Sequence, residues 1–313
     1  KKLYEGLSTS TERTIPTPAF ALPTPEPPPA PPHPGLHRLL DTIHSAVVQV
    51  GTVNQISLSA ARKAVSAALG SHVEGSLPFV APHAPTNAPA QQARGFATLS
   101  VPLAEMHRIA RQHHATLNDV AAAIIDHGLH AYLRQAGQAY AHELVAMCPV
   151  SLRDDSDSAV GTRVSALFVR LGRPEATMTD RLREVVHSVA SAKDELGAMS
   201  TNAAMTFAVA LVALAGAGAS THLDRVGHPA CNLVISNIPG NTEPHYLNGA
   251  PLIGIFPVSA LAASIGLNVT LSSYCDTMNF GFVTNTAAIS DVQALAEFTG
   301  KAYAELTAES ARA

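Results

Sequence analysis

The decapeptide Cys231–Gly240, CNLVISNIPG, constrains the fold more than any other stretch. Its first six residues are mostly apolar and β-prone, which predicts a buried strand. Asn237, Pro239 and Gly240 then stop it abruptly. Ser236 and Asn237 fall where strand gives way to turn, and a rigid strand end can present a hydroxyl and an amide to a ligand there. The same residue types also serve as plain turn chemistry. Three more β-prone segments follow: Leu252–Val258, Gly266–Tyr274 and Thr277–Thr284. Together the four predict one sheet whose first strand carries the polar exit.

Upstream, strand and helix signals alternate. Gly95–Val101 reads as a strand and Pro102–His114 as a helix with Leu103, Met106 and Ile109 on one stripe. Ala115–Gly137 reads as a second helix, capped by Thr116 or Asn118, with Val120, Ile124, Leu129 and Leu133 near helical spacing. Asn118 and Asp119 then sit at a helix N-terminus, where exposed N–H groups favour anions and polar ligands; both residues can also simply cap the helix. Leu144–Val150 and Val164–Leu171 read as strands, Thr179–Met199 as an amphipathic helix, and Ser290–Thr307 as a last helix with Ser290 as N-cap.

The first third is different. Pro16–Pro34 holds ten prolines and predicts an extended linker. Lys1–Ser10 could close a helix begun upstream. Leu36–Gly70 is expected to be partly helical, and Ser71–Arg94, with four prolines, to be loose. The division expected is 1–94 for the end of an N-terminal domain plus linker, and 95–313 for a C-terminal domain. The chain opens Lys1-Lys2-Leu3 without a Met, which suggests a piece of a longer protein.

Composition excludes some classes. Charged residues make up 14% and formal net charge is −4, with no Lys/Arg block, so nucleic acid is not expected as a partner. The three cysteines form no C-x-x-C pair, and a reducing compartment is expected. Fifteen histidines lack metal-ligand spacing, and His127 and His130 are expected as two surface-facing side chains. Ala203–Ala219 is an uncharged Ala/Gly-rich run, a buried helix or a membrane-contacting surface. There is no nucleophile elbow, P-loop, H-E-x-x-H or dinucleotide fingerprint. His113-His114-Ala-Thr-Leu-Asn118-Asp119 looks like an acyltransferase signature, His-His-x-x-x-Asp-Gly. Asn118 replaces its Asp, however, and Val120 rather than Gly follows Asp119. The doublet is expected to end one helix and precede the cap of the next.

Several separated segments resemble the C-terminal part of bacterial wax ester synthase/diacylglycerol acyltransferases, in that family's order. They are Thr116-Leu-Asn118-Asp119-Val120, Pro149-Val-Ser-Leu-Arg153, Asn232 to Gly240, Tyr246-Leu-Asn-Gly-Ala250, Phe256-Pro-Val-Ser259, Leu267-Asn-Val-Thr270, Ser273-Tyr274 and Asn279-Phe-Gly281. They span about Gly95 to Leu306. At Gly161-Thr162 the family usually has Gly-Asn. The resemblance implies a chloramphenicol acetyltransferase-like α/β fold, a mixed sheet flanked by helices, with the catalytic His motif on a preceding domain. It implies acyl-CoA-dependent O-acylation of diacylglycerol or a fatty alcohol, with acyl-CoA as co-substrate and no cofactor. Oxyanion or acceptor support is then expected from Ser236, Asn237, Asn268 and Ser273. Channel or CoA contacts are expected from Asn118, Asp119, Arg153, Gly240, Asn279 and Gly281. Expected partners are the two substrates and the N-terminal part of the same protein. The expected place is the cytoplasm, with peripheral contact to membranes or lipid droplets. The competing expectation is a non-catalytic lipid- or acyl-CoA-binding or scaffolding domain.

Overall fold

The computed structural model describes residues 81–89, 91–151, 164–197, 228–262 and 264–312, with positions 7, 9 and 11. The Pro-rich run, Leu36–Gly70, Gly161-Thr162 and Ala203–Ala219 therefore lie outside the described residues, as does Arg153.

Six strands form one mixed sheet. In chain order they are β1 (Arg94–Pro102), β2 (Val145–Ser151), β3 (Val164–Arg170), β4 (Leu233–Ile238), β7 (Leu267–Tyr274) and β8 (Thr277–Asn285). Their spatial order is β1-β8-β7-β4-β2-β3. Three adjacent inner strands, β7, β4 and β2, run parallel, and the remaining pairs are antiparallel. β4 thus sits inside the sheet rather than starting it. A two-stranded ribbon, β5 (Tyr246–Leu247) and β6 (Ala250–Pro251), stands apart.

Alternation along each strand sends one set of side chains to a helical layer. Leu233, Ile235, Leu267, Val269, Leu271, Phe280 and Phe282 enter the main core with α1 (Leu103–Gln112), α2 (Leu117–Gln135), α3 (Met178–Gly197) and α4 (Val292–Arg312). α2 is buried through Asp119–Asp126 and again at Leu129 and Leu133. Its start is fixed by a capping box. The Thr116 hydroxyl accepts from the Asp119 N–H at 3.3 Å, and the Asp119 carboxylate accepts from the Thr116 N–H at 2.7 Å. α4 is capped by Asp291, which accepts from the Ala294 N–H, and not by Ser290. Asp291 stands three residues before that N–H, the spacing a capping side chain needs.

A wholly buried ion pair ties the helical layer together. Arg181 of α3 meets Asp126 of α2, and its guanidinium also donates to the carbonyls of Arg173 (2.8 Å) and Pro174 (3.0 Å). His130, expected at the surface, is buried instead, 3.5 Å from Asp126 and stacked on Tyr140. His127 is half-buried against Glu305 of α4. The face the two histidines share is the one α2 turns towards α3 and α4, so helical spacing located that face but not its burial. Burial and the Arg181 charge push His130 down to about 4, and burial lifts Asp126 to about 7 against the pull of Arg181.

One expected strand is absent. Leu252–Val258 is an irregular strap with no ladder partner among the described residues. It keeps the alternation of an extended chain: Phe256, Val258 and Ala260 point out, while Pro257, Ser259 and Leu261 are half-buried. Pro257 lacks the N–H a central strand requires. The β4 strand, in contrast, runs past its expected end. Asn237 and Ile238 pair with Leu271 and Ser272 of β7 before Pro239 stops the ladder.

Asp126→Ala leaves Arg181 buried without its counter-ion and is expected to cost about 3–5 kcal/mol of stability in urea unfolding. His130 has a folded pKa below its ordinary value, so its contribution is present above about pH 6.5 and is lost as pH falls towards 4. The stability gap between the native chain and His130→Gln is therefore expected to be wider at pH 7 than at pH 4.5.

Candidate active site

The sheet face away from the helices is built differently. Reading across from β4 through β7 and β8 to β1, one row is Val234, Asn268, Val283 and Phe96. The next is Ser236, Thr270, Gly281 and Thr98, and the third is Ile238, Ser272, Asn279 and Ser100. A polar stripe thus crosses the middle of this face. No described helix packs on it; a small apolar cluster around Val145, Phe168 and Val234 closes one side.

The strap 252–262 lies over the stripe. A Cβ at Gly281 would overlap the carbonyl of Pro257, so only glycine lets the strap sit this close. Ser259 hydrogen-bonds Thr270 at 2.7 Å, and Thr270 donates to the Asn268 carbonyl oxygen at 2.9 Å. With the Thr270 proton spent on Asn268, the Ser259 hydroxyl is the donor in the first bond. The Asn268 amide donates to the Ala260 carbonyl at 3.0 Å. Asn268 is therefore committed to holding the strap. Asn279 accepts from the Ser100 hydroxyl at 2.7 Å, while its amide nitrogen is buried without a partner beside Gly254. Ser236 is half-buried in the same stripe, and no described residue bonds its hydroxyl.

Ser236 and Asn237 do not face one ligand side by side, as strand alternation sends them to opposite faces. Asn237 points to the helical side, where its amide donates to the Asn118 side-chain oxygen at 2.8 Å. Its own oxygen is buried and unpartnered. Asp119 divides its carboxylate: one oxygen closes the capping box, and the other is buried without a partner. The Ser273 hydroxyl accepts from the Gly240 N–H at 3.1 Å, and Gly240 lies so tightly on the Ser273 backbone that a side chain there would clash. These two residues fold the β4 exit back over the end of β7. The ten expected positions, less Arg153, thus fall into a stripe (Ser236, Asn268, Asn279, Gly281), an amide pair with its cap (Asn118, Asn237, Asp119) and a turn (Gly240, Ser273).

Sequence reasoning missed Ser100, Ser259 and Thr270. The signal for Thr270 was present: Asn268, Thr270 and Ser272 alternate with Leu267, Val269 and Leu271, which marks a two-faced strand with one polar face.

Burial favours the neutral form of Cys148, Cys231 and His113. Burial pushes the Cys148 thiol up to about 12, with Asp119 adding to the rise, and burial does the same to Cys231. His113 bonds Ser310 of α4 at 2.9 Å, and burial lowers its pKa. The His113-His114 doublet thus ends α1, as its sequence context suggests.

A mixed sheet with its described helices on one face and a polar stripe on the other is an α/β architecture. The chain belongs to the wax ester synthase/diacylglycerol acyltransferase family. A family model described as the catalytic domain matches residues 3–121, and one described as the C-terminal domain matches 160–307. It is 34% identical over 238 residues to "Probable diacyglycerol O-acyltransferase Tgs4" of Mycobacterium tuberculosis, covering 75% of this chain and 50% of that protein. It is 31% identical over 217 residues to "O-acyltransferase WSD" of Acinetobacter baylyi, covering 69% of this chain and 47% of that protein. The solved wax ester synthase/diacylglycerol acyltransferase of Marinobacter aquaeolei VT8 has the same fold, with a TM-score of 0.71 at 22% identity, covering 99% of this chain and 64% of that one. The chain spans about half the length of the curated relatives it matches.

Gly281→Ala is expected to lift the strap and cost about 1–3 kcal/mol, the usual range for overpacking. Limited proteolysis within 252–262 should accelerate while the helical content by circular dichroism stays unchanged.

Proposed function

We propose that the protein of which this chain is a part transfers an acyl group from acyl-CoA to an alcohol oxygen, forming triacylglycerol from diacylglycerol or a wax ester from a fatty alcohol. Family membership supports the reaction class, and the unpartnered Ser236 hydroxyl in the polar stripe is the observation that carries the site. Residues 1–94 are read as the end of the preceding domain with its linker, and 95–313 as the acyltransferase domain.

The reaction needs three things. A base must take the proton from the alcohol hydroxyl. The resulting oxygen must attack the thioester carbonyl, forming a tetrahedral oxyanion. Preformed donors must hold that charge until the C–S bond breaks and the thiolate leaves with a proton. In this reading Ser236 donates to the oxyanion. The buried Asn279 amide, free of any acceptor, is the second donor available on the same face. Asn268, Gly281, Gly240 and Ser273 shape the surface, and Arg153 is assigned to CoA contact or local support. No cofactor enters the scheme; acyl-CoA is a co-substrate.

The base is assigned to a His-His-x-x-x-Asp-Gly segment, which this sequence does not contain. The helix-free face is where the part bearing it would dock. Among the described residues, Ile238, Leu247, Ile253, Phe256, Val258 and Phe96 are the large apolar side chains left exposed, and Ile253 is 90% exposed. Phe96 and Ile238 belong to that face, and Ile253, Phe256 and Val258 to the strap across it. Such a patch marks a contact surface. Among the described residues no helix is long and apolar enough to cross a membrane. A cytoplasmic enzyme that touches membranes or lipid droplets peripherally fits substrates this apolar. The lack of a complete His-His-x-x-x-Asp-Gly set in this sequence favours one second reading, a non-catalytic lipid- or acyl-CoA-binding or scaffolding domain.

The test is acyl transfer from palmitoyl-CoA to diacylglycerol and to hexadecanol by the intact polypeptide. Ser236→Ala is expected to lower kcat by about 100- to 1,000-fold with an unchanged unfolding midpoint. Unchanged turnover removes Ser236 from the mechanism, and no transfer by the native protein favours the binding-domain reading.

A further inference from the structure

The Asn118–Asn237 pair sits at a place where ligands collect. β2, β4 and β7 are parallel, and Asn237 lies at the carboxyl end of β4. In open α/β sheets the crevice beyond those ends is the usual binding position. Asn118 is exposed on the first turn of the 19-residue helix α2, one residue before the buried Asp119.

The hydrogen-bond inventory there is unbalanced. Asn237 donates to Asn118, and its own oxygen is buried without a donor. The second carboxylate oxygen of Asp119, a residue only 3% exposed, is also buried without a donor. The Asn118 amide nitrogen has no described acceptor, and the residue is exposed. Two buried acceptors therefore have no donor among the described residues, at about 1–3 kcal/mol each if left dry, and the exposed Asn118 amide is a donor next to them.

The three molecular parts that lie next to the reacting thioester differ in what they can offer. An acyl tail offers nothing polar. A diacylglycerol offers ester acceptors and one hydroxyl. The pantetheine arm of an acyl-CoA carries two secondary amides, each a donor and an acceptor on opposite edges. Only the arm supplies N–H groups to Asn237 and Asp119 together with a carbonyl for Asn118.

We infer that the Asn118–Asn237 amide pair, backed by the second oxygen of Asp119, anchors the pantetheine arm of the acyl donor through its two secondary amides. The inference rests on the acyl-transfer reading above. Strand alternation places Asn237 on one face and Ser236 on the other, so an arm held at Asn237 has its thioester within a residue's length of Ser236. Asn118 and Asn237 are on this account binding residues for the donor and not donors to the oxyanion.

The experiment compares palmitoyl-CoA with the palmitoyl thioester of butanethiol, which has no amide, as acyl donors for the intact polypeptide. Variants are Asn118→Ala, Asn237→Ser and the conservative Asn118→Gln. The KM for palmitoyl-CoA is expected to rise roughly tenfold in Asn118→Ala and Asn237→Ser, as loss of one buried hydrogen bond implies. Their kcat and their KM for the amide-free thioester should stay close to native, with Asn118→Gln intermediate. An equal rise for both donors, a rise confined to the alcohol, or no change overturns the inference and leaves acyl transfer standing. If the native protein transfers from neither donor, the acyl-transfer reading fails. Calorimetric titration of coenzyme A into native and Asn118→Ala protein then decides the anchor: binding weakened in the variant supports it, and equal or absent binding overturns it.

Discussion

A mixed sheet with all its described helices on one face has to do something with the other. Here the same strands that pack Leu267, Val269 and Leu271 against helices turn Asn268, Thr270 and Ser272 the opposite way. Those polar groups cannot be left dry and unpaired, since each would cost more than a typical net hydrogen bond returns. The chain meets the demand by drawing the 252–262 strap across them, so that Ser259 and Ala260 serve Thr270 and Asn268. The arrangement fixes the strap in place and leaves the Ser236 hydroxyl without a bond from any described residue. The site proposed at Ser236 follows from this two-faced sheet, and the reaction class from family membership.

The helical layer has its own constraint. Arg181 and Asp126 are buried together, and neither is tolerable alone. Their pairing locks α3 onto α2 at α2's middle, while the Thr116–Asp119 capping box fixes where α2 begins. A rigid helix with a defined first turn is what holds Asn118 against Asn237 across 119 residues of sequence. Site geometry thus depends on groups far from it.

Much of the architecture was legible in the sequence. Strands β1, β2, β3, β7 and β8 and helices α1 to α3 fall within a few residues of where periodicity and capping place them, because long apolar stripes leave little freedom. What was not legible depended on partners distant in the chain. Leu252–Val258 has strand composition, yet a strand is defined by a neighbour, and none of the described residues pairs with it. Asn237 looked like a strand terminator, but parallel pairing with Leu271 carried the ladder through it. Asp291 displaced Ser290 as the α4 cap by one residue, a distinction that propensity does not make. At the site, Ser236-Asn237 was recognisable as special, while the split of the two onto opposite faces follows from the register alone. Thr270 was readable from alternation in β7, whereas Ser100, paired with Asn279 across 179 residues, was not.

The claim on which the account turns is that the strap and the stripe beneath it are a surface shared with the remainder of the protein. Amide hydrogen exchange over 252–262 tests it most directly, measured on this chain alone and on the intact polypeptide. The account predicts fast exchange for the strap in the isolated chain, where it has no ladder partner, and strong protection in the intact protein, with β7 protected in both. Equal exchange of the strap in the two samples would contradict it, since the face would then be open in the working molecule.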